Sequence, residues 1–255
     1  MSLIKEFNVD KLCVKVYDTR KAMGEKAADQ VSYKIRELLA KQSEVNIIFA
    51  AAPSQNEFLD TLVSIKDIEW GRINAFHMDE YVGVDTFHPL SLATFLREKL
   101  FNKVTFKSVN LMDGMAGNIE AECERYSELL EKFPTDIVCM GIGDNAHIAF
   151  NDPHVADFND KKFVKMVDID DISKNQQANG AGFDKAQNVP PIAMTITIPG
   201  LMAAKYTYCV VPTKVKAQAA FNSLNGDITE KFPASILRRQ DNAVLYLERE
   251  SASLL

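Results

Sequence analysis

The sequence has 255 residues, 47% of them hydrophobic and 25% charged, and no apolar run in it approaches the roughly 18 residues of a membrane helix. Its formal net charge of −6 argues against a nucleic-acid-binding surface, which needs clustered Lys and Arg side chains. Charged side chains at positions 5, 6, 10 and 11 interrupt the start of the chain, so we expect no signal peptide and a cytoplasmic protein.

The first part of the chain alternates short apolar runs with longer amphipathic segments. Residues 13–19 and 45–52 predict strands, and the second run is almost wholly apolar, as in a strand that is covered on both faces. Between them, apolar residues at helical spacing predict a helix over 20–41. Ser54 and Glu57 have the S-x-x-E spacing of a capping box, which predicts that a further helix begins at Ser54.

The same alternation continues to the end of the chain. Further strands are predicted at the start of 72–82 and over 135–141, 162–169, 193–198, 206–212 and 243–248. Further helices are predicted over 89–101, 119–130 and 214–224, and the Gly-, Asn- and Gln-rich stretch 173–182 predicts a long surface loop. The sequence therefore predicts an α/β fold with an open, mostly parallel, doubly wound sheet and helices on both faces. No repeat or linker interrupts the pattern, so we expect one domain over residues 1–255.

Three of the predicted strands end in polar or reactive residues. These strand ends are residues 50–55, 76–83 and 140–153. Ligands of parallel sheets bind at the carboxyl edge of the strands. We therefore expect the three segments to form one shared pocket.

The stretch MGIGDNAHIAFNDP, residues 140–153, fits two interpretations. Its GIGDNA letters match the G-x-G-x-x-G/A fingerprint of dinucleotide-binding folds, which a helix must follow. Here Pro153 comes soon afterwards and disfavours helix at the residue before it. We therefore favour a tight turn that aims an irregular loop carrying His147 and Asp152, and we expect no cofactor. Alternatively, His147 is a buried histidine that holds the loop together, and Asp152 is a cap or turn acid.

Two acids follow the strand that begins at residue 72. Asp79 and Glu80 point to opposite faces if the strand continues, so only one of them enters a given pocket. A carboxyl group that is partly removed from water has a raised pKa and can serve as a base. The alternative is a helix cap or a salt-bridged pair. A metal site made of His77, Asp79 and His88 lacks a fixed third ligand, so we expect no metal.

Three segments together carry a resemblance to a known family. They are FHMDEYVGV with HPLS, GIGDNAHIAFNDP, and VPTKVKAQAA near the carboxyl end. In order and spacing, the chain resembles the glucosamine-6-phosphate deaminase family from about residue 20 to 247. This resemblance implies a Rossmann-like deaminase fold, homo-oligomers in many members, and conversion of glucosamine 6-phosphate and water into fructose 6-phosphate and ammonia without a redox cofactor.

The resemblance assigns roles to four candidate catalytic residues. Asp79 matches the carboxylate that moves a proton between C2 and C1 of the open-chain sugar. His147 matches the imidazole that moves a proton during ring opening, and Asp152 takes the place of a glutamate that orients it. Asn145 takes a position held by aspartate or asparagine, where it can orient a neighbour but cannot exchange a proton.

The part that resembles the family's phosphate site departs from the pattern. Lys216 matches a lysine that contacts the phosphate, and Ser54 and Glu80 complete the predicted substrate-binding set. However, Pro53 stands in a loop that is glycine-rich in the family, and it removes an amide donor. No arginine stands in 173–183, where Lys174 is the nearest basic residue.

These departures leave other functions open. Ala146 replaces a glycine, which strains the loop if the backbone φ there is positive. Together with Asn145 and the altered loop, it motivates a sugar-phosphate-binding protein without turnover. A hydrolase that resembles 6-phosphogluconolactonase is the third hypothesis, although its G-H-T-A-S-L-F-P pattern does not match HIAFNDP. The substrate could also be another amino-sugar phosphate.

Overall fold

The computed structural model describes residues 2–180 and 183–255. The strands in these ranges are β1 (Leu3–Val9), β2 (Leu12–Tyr17), β3 (Val45–Phe49), β4 (Ile73–His77), β5 (Asp79–Tyr81), β6 (Ser108–Asn110), β7 (Ile137–Met140), β8 (Val164–Asp168), β9 (Ile192–Ile196), β10 (Tyr206–Val211) and β11 (Ala243–Glu248). The α-helices are α1 (Arg20–Leu39), α2 (Asn56–Ser64), α3 (Leu92–Leu96), α4 (Ile119–Lys132), α5 (Asp171–Gly180), α6 (Ile198–Met202) and α7 (Ala217–Leu224). None of these helices has both the length and the apolar character that crossing a membrane requires.

The larger sheet has eight strands within the described residues, in the order β1-β2-β11-β10-β7-β3-β4-β6. The edge strand β1 pairs antiparallel with β2. Every other pair of neighbours in this order, as far as β6 at the opposite edge, is parallel. The sheet confirms the predicted α/β fold with an open, mostly parallel sheet.

Helices cover both faces of this sheet. Ile47 and Phe49 pack in a cluster with the buried side chains of α1 and α2. Ile48 lies between them in β3 and packs in a second cluster with the buried side chains of α4 and α7. Successive side chains of a strand point to opposite faces, so the two clusters lie on opposite sides of the sheet. All five residues of β3 are buried, as the apolar run predicts.

A smaller antiparallel sheet lies where β4 ends. It contains β5, β9 and β8 in that order, and Asp79 in β5 pairs with Thr195 in β9. A single residue, Met78, separates β4 from β5. The chain therefore leaves the larger sheet at the point where the two predicted acids begin.

Four strand ends of the larger sheet lie next to one another. Strands β10, β7, β3 and β4 are neighbours and parallel, so their carboxyl ends meet at one edge. Residues 212–216, 141–152 and 50–55 follow the first three strands, and β5 follows the fourth. This arrangement brings the predicted polar segments together, as ligand sites of parallel sheets require.

Two predictions about local structure are wrong. The stretch 173–182 belongs to α5 as far as Gly180, and the rest of it, Ala181 and Gly182, lies outside the described residues. The capping box of Ser54 and Glu57 does not form, because Pro53 starts a 3₁₀ turn over Pro53–Gln55 and α2 begins only at Asn56, without a side-chain cap bond. The Glu57 carboxylate lies instead 2.7 Å from Nε of Arg20, in an ion pair.

Candidate active site

The polar segments at the sheet edge enclose one cavity of about 430 Å³. Asp79, His147, Ser54 and Lys216 line it together, and they come from four different strand ends. Of the other predicted site residues, Glu80, Asn145 and Asp152 do not line the cavity.

The Asp79 carboxyl opens onto this cavity. Its residue is 8% exposed, and within the described residues no hydrogen-bond donor contacts the carboxyl oxygens. Burial, together with the nearby Glu80 charge, raises the pKa of Asp79 to about 8. A carboxylate of this kind is a strong base once it has lost its proton, because neither water nor a donor stabilises the charge.

Glu80 does not have the predicted substrate-binding position. Its side chain is fully buried and points away from the cavity, in accordance with the alternation of a strand. It accepts hydrogen bonds from the hydroxyl of Ser91 at 2.7 Å and from the backbone N–H groups of Leu92 and Ala93 at 3.1 and 2.9 Å. Glu80 is therefore a cap for the first turn of α3, which is the alternative that the sequence left open.

The loop after β7 places His147 against Gly143. The chain turns tightly there, because Ala146 N–H donates to the Gly143 carbonyl at 3.0 Å and Gly143 N–H donates to the His147 carbonyl at 2.9 Å. A Cβ atom at Gly143 would lie 2.1 Å from the imidazole, so only glycine permits this packing. Ala146 has φ 67, the positive value at which alanine is strained by about 1 kcal/mol or more.

Oxygen atoms surround one nitrogen of the His147 ring. Nδ1 lies 2.7 Å from Oδ1 of Asn145, 2.9 Å from Oδ1 of Asp152 and 2.9 Å from Oγ of Ser173. Such a setting keeps the ring proton on Nδ1 and leaves Nε2 as the acceptor. Within the described residues, Nε2 has no hydrogen-bond partner.

Asp152 is fully buried behind this imidazole. Burial alone would raise the pKa of Asp152, but hydrogen bonds from His147, Asn145 and Ser173 outweigh it and lower the pKa to about 2. Asn145 also donates from Nδ2 to Oδ1 of Asp152 at 2.9 Å. Both residues therefore contact Nδ1 of the imidazole, and of the three residues only His147 lines the cavity.

Ser173 is a site residue that the sequence analysis missed. It lies in α5, is fully buried, and donates its hydroxyl proton to Oδ1 of Asp152. The polar stretch around it has no apolar periodicity, because α5 buries only this serine among its described side chains. A serine soon after the end of β8 is too common a pattern to reveal such a role.

Two cationic side chains are among the lining residues, and each is paired with an acid. Lys216 Nζ lies 2.6 Å from Oδ1 of Asp144, and Arg20 lies against Glu57. The guanidinium of Arg20 also donates from Nη2 to the Pro53 carbonyl at 2.6 Å. The sequence analysis missed Arg20 and Asp144 because nothing in their spacing shows that they face the cavity.

The turn before Lys216 has an unusual backbone. Thr213 has φ 78 and ψ 148, a region that is almost restricted to glycine and costs about 1–3 kcal/mol for other residues. Its N–H donates to Oε1 of Glu248 at 2.8 Å, and its carbonyl accepts from the N–H of Lys216 at 3.0 Å. These bonds fix the start of the turn that carries the lysine into the cavity wall.

The metal interpretation of the sequence does not fit the geometry. His77 is fully buried, its Nε2 accepts the N–H of Met112 at 2.7 Å, and burial lowers the pKa of His77 to about 3. His88 is exposed and accepts the N–H of Leu90. Asp79 alone of the three lines the cavity.

Among the described residues, a different group of three side chains has possible metal-ligand atoms close together. Oxygen and nitrogen atoms of Asp152, His154 and Asp170 lie within 4.8 Å of one another. Both carboxylates already accept hydrogen bonds from Asn145 and backbone N–H groups. The two carboxylates therefore stabilise the loop that carries His147.

The same loop does not have the structure of a dinucleotide-binding site. Turns follow Gly141 and Gly143, whereas a dinucleotide fingerprint requires a helix there.

Comparison with known proteins identifies relatives along most of the chain. The sequence profile of the family described as glucosamine-6-phosphate isomerases/6-phosphogluconolactonase matches residues 18–246. The glucosamine-6-phosphate deaminase of Streptococcus sanguinis (strain SK36) is 32% identical over 222 residues, which cover 87% of this chain and 91% of the relative. That of Bacillus cereus (strain G9842) is 31% identical over 225 residues, 88% of this chain and 84% of the relative.

Solved structures show the same architecture. A structure described as a monomeric glucosamine-6-phosphate deaminase superposes with a TM-score of 0.87 at 27% identity, over 95% of this chain and 99% of the other. The 6-phosphogluconolactonase of Thermotoga maritima superposes with a TM-score of 0.77 at 19% identity, over 93% of this chain and 100% of the other. At that identity the second comparison shows a shared fold alone.

Proposed function

Because the chain belongs to the glucosamine-6-phosphate isomerase and 6-phosphogluconolactonase family, we propose that it is an amino-sugar phosphate isomerase and deaminase. Its reaction converts glucosamine 6-phosphate and water into fructose 6-phosphate and ammonia. The relatives from Streptococcus sanguinis and Bacillus cereus, at 32% and 31% identity, carry this activity in their names. The family profile reaches almost from end to end, so we propose that the whole chain acts as one domain.

One observation carries the proposal. Asp79 and His147 line the same cavity, and the Asp79 carboxyl has no hydrogen-bond partner among the described residues. Lactone hydrolysis needs no base that removes a proton from carbon, whereas an aldose–ketose isomerisation does. An unpartnered carboxyl with a pKa raised to about 8 is suited to that task.

The first step is opening of the sugar ring. His147 takes the proton of the C1 hydroxyl on Nε2 and returns a proton to the ring oxygen, while the bond between C1 and that oxygen breaks. The imidazole is positively charged in between, and the buried Asp152 carboxylate next to Nδ1 stabilises that charge. Asn145 and Ser173 keep the ring in one orientation.

The second step moves a proton between carbons. Asp79 removes the proton from C2 of the open-chain aldehyde, which gives an enol with the amino group on C2. The same carboxyl then delivers the proton to C1, and C2 becomes an imine. Water adds to C2, ammonia leaves, and the ketone of fructose 6-phosphate remains.

Release of ammonia tests the proposal. We expect the protein to release ammonia and form fructose 6-phosphate, and we expect Asp79→Asn to lower kcat by about 10²-fold or more. Asp227→Asn removes the same charge at an exposed position and should leave kcat unchanged. Hydrolysis of 6-phosphogluconolactone without ammonia would instead support the lactonase hypothesis, and binding without any turnover would support a binding protein.

The proposal includes the setting in which the enzyme works. Its substrate is a small sugar phosphate, and we place the enzyme in the cytoplasm without a membrane partner. The net charge of −6 disfavours a nucleic-acid partner. The family resemblance favours a homo-oligomer, whereas one structural relative is described as monomeric. Size-exclusion chromatography with light scattering distinguishes the two states by the measured mass, since the monomer has a mass of 28.5 kDa.

A further inference from the structure

The Lys216 ammonium lies in a closed triangle of polar contacts. Its Nζ is 2.6 Å from Oδ1 of Asp144 and donates to Oε1 of Gln176 at 2.9 Å. The backbone N–H of Asp144 donates to the same Gln176 oxygen at 2.7 Å. The side chains of Lys216 and Asp144 are 12% and 25% exposed, so bulk water screens this pair only weakly.

The rest of the described cavity wall gives little extra positive charge near this triangle. Arg20, the other cation of the lining, is paired with Glu57. The described side chains that α5 contributes to the wall are the neutral amides of Gln176, Gln177 and Asn179. Pro53 has no N–H group to offer to an anion at the start of its 3₁₀ turn.

This arrangement affects how strongly a phosphate is held. A phosphate dianion is drawn to the lining cations by charge, but at Lys216 it meets a carboxylate that already holds the ammonium. The Asp144 charge repels the dianion over a few ångströms at low screening and offsets much of the attraction by the lysine. A neutral hydroxyl at the same place avoids this repulsion and can donate to the carboxylate.

We propose that Asp144 is a specificity-determining residue that weakens the preference of this cavity for a phosphorylated over an unphosphorylated amino sugar. The proposal rests on the proposed function for its substrate class and on the Asp144–Lys216 ion pair for its cause. It follows that removing the charge of Asp144 strengthens phosphate binding through Lys216.

The test compares two substrates in Asp144→Asn. Asparagine keeps the size of the side chain and an oxygen for the ammonium, but not the negative charge. We expect KM for glucosamine 6-phosphate to fall by about tenfold, with kcat within about threefold of the wild type. The ratio of kcat/KM for glucosamine 6-phosphate over glucosamine should rise by a similar factor.

Two further variants separate this role from a structural one. Asp171→Asn removes a carboxylate from α5 that is 95% exposed and outside the cavity lining, so it should leave the ratio unchanged. In a Lys216→Met background, Asp144→Asn should lower KM by less, because only the direct repulsion of the dianion is then removed and no ammonium is freed to bind it. An unchanged or lower ratio in Asp144→Asn, or an equal gain with and without Lys216, would overturn the proposal.

Binding measurements keep this test independent of turnover. If no variant releases ammonia, the proposed function fails, but calorimetry with inorganic phosphate and with fructose 6-phosphate still reports on Asp144. Tighter binding of both anions to Asp144→Asn than to the wild type supports the specificity role. Equal or weaker binding contradicts it, whatever reaction the protein catalyses.

Discussion

The ionisation of Asp79 is coupled to folding because its carboxyl is buried and accepts no hydrogen bond from the part of the chain that the structure describes. Its pKa is raised to about 8 in the folded protein and is about 3.9 in an unfolded chain. Between these values the folded state holds a proton that the unfolded state has lost. The free energy of unfolding therefore falls as pH rises from about 4 to about 8, and the cost of the buried charge is complete above that range.

We expect Asp79→Asn to be more stable than the wild type at high pH. Asparagine does not titrate, so the difference in Tm should grow by at least about 2 °C between pH 5 and pH 8.5. Thermal unfolding at several pH values measures it, and Asp227→Asn serves as the exposed control. A Tm difference that does not change with pH would mean that Asp79 is already ionised in the folded protein at pH 5.

Ser173 contacts the imidazole of His147 and does not line the cavity, so we expect it to affect catalysis only through that imidazole. Its hydroxyl lies 2.9 Å from Nδ1 of His147 and donates to Asp152, so its loss leaves buried polar atoms with one partner fewer. We expect Ser173→Ala to lower kcat by about tenfold while KM stays within about threefold. Ser173→Thr keeps the hydroxyl and should recover part of kcat, and Ser127→Ala in α4 is the control. A rise in KM with unchanged kcat would place Ser173 in substrate binding instead.

The sequence predicts those candidate site residues that lie in polar segments at the ends of buried strands. Asp79 and His147 were predicted on this ground, and their roles were predicted from the resemblance of these segments to a known family. Arg20 and Ser173 come from helices, where the sequence pattern does not show which polar side chains face the cavity. Their roles depend on the packing of distant elements, which a single sequence does not encode locally.

At the scale of elements, the parallel strands other than β6 were predicted, because burial on both faces makes such strands largely apolar, whereas β6 is a short edge strand without a fully buried residue. Helix α5 was missed because its polar and glycine-rich composition lacks a helical period of apolar residues. The strand β1 was also missed, since at the exposed edge of the sheet its side chains are mostly in water. Elements whose positions depend on a few polar contacts give a weak local signal.

The cap of α3 gives a prediction at this scale. Glu80 accepts four hydrogen bonds, from the Ser91 hydroxyl and from the N–H groups of Tyr81, Leu92 and Ala93. In Glu80→Gln, an amide NH₂ faces donors where a carboxylate oxygen accepted from them, so we expect a loss of about 2 kcal/mol in the free energy of unfolding. Urea unfolding measures this loss, with Glu128→Gln on the exposed face of α4 as the control.

The effect of Glu80 on kinetics should be small by comparison. Its side chain does not reach the cavity, so KM should stay within about threefold when the variant is assayed at a temperature where it is folded. A large rise in KM with unchanged stability would restore the substrate-binding role that the sequence predicted for Glu80.

At the scale of the whole molecule, the cavity lies between the edge of the larger sheet and helix α5, which differ in how many side chains they bury. The strand ends around Asp79 and His147 rest on two apolar clusters, one on each face of the larger sheet. Helix α5 buries only Ser173 among its described side chains, yet it supplies Gln176, Gln177 and Asn179 to the cavity wall. Elements with few buried apolar contacts unfold locally at a low cost in free energy. A ligand that contacts such an element therefore raises its free energy of opening more than that of other elements.

We therefore expect bound fructose 6-phosphate to protect α5 more than other helices from hydrogen exchange. At saturating ligand, exchange of the amides in Asp171–Gly180 should slow by about tenfold or more, because the ligand must leave before this part of the wall opens. Helix α4, which packs on the sheet through Cys123, Tyr126 and Leu130, is the internal control and should change little. Equal protection of both helices would show that the ligand stabilises the fold as a whole, and no protection of α5 would place the ligand away from this wall.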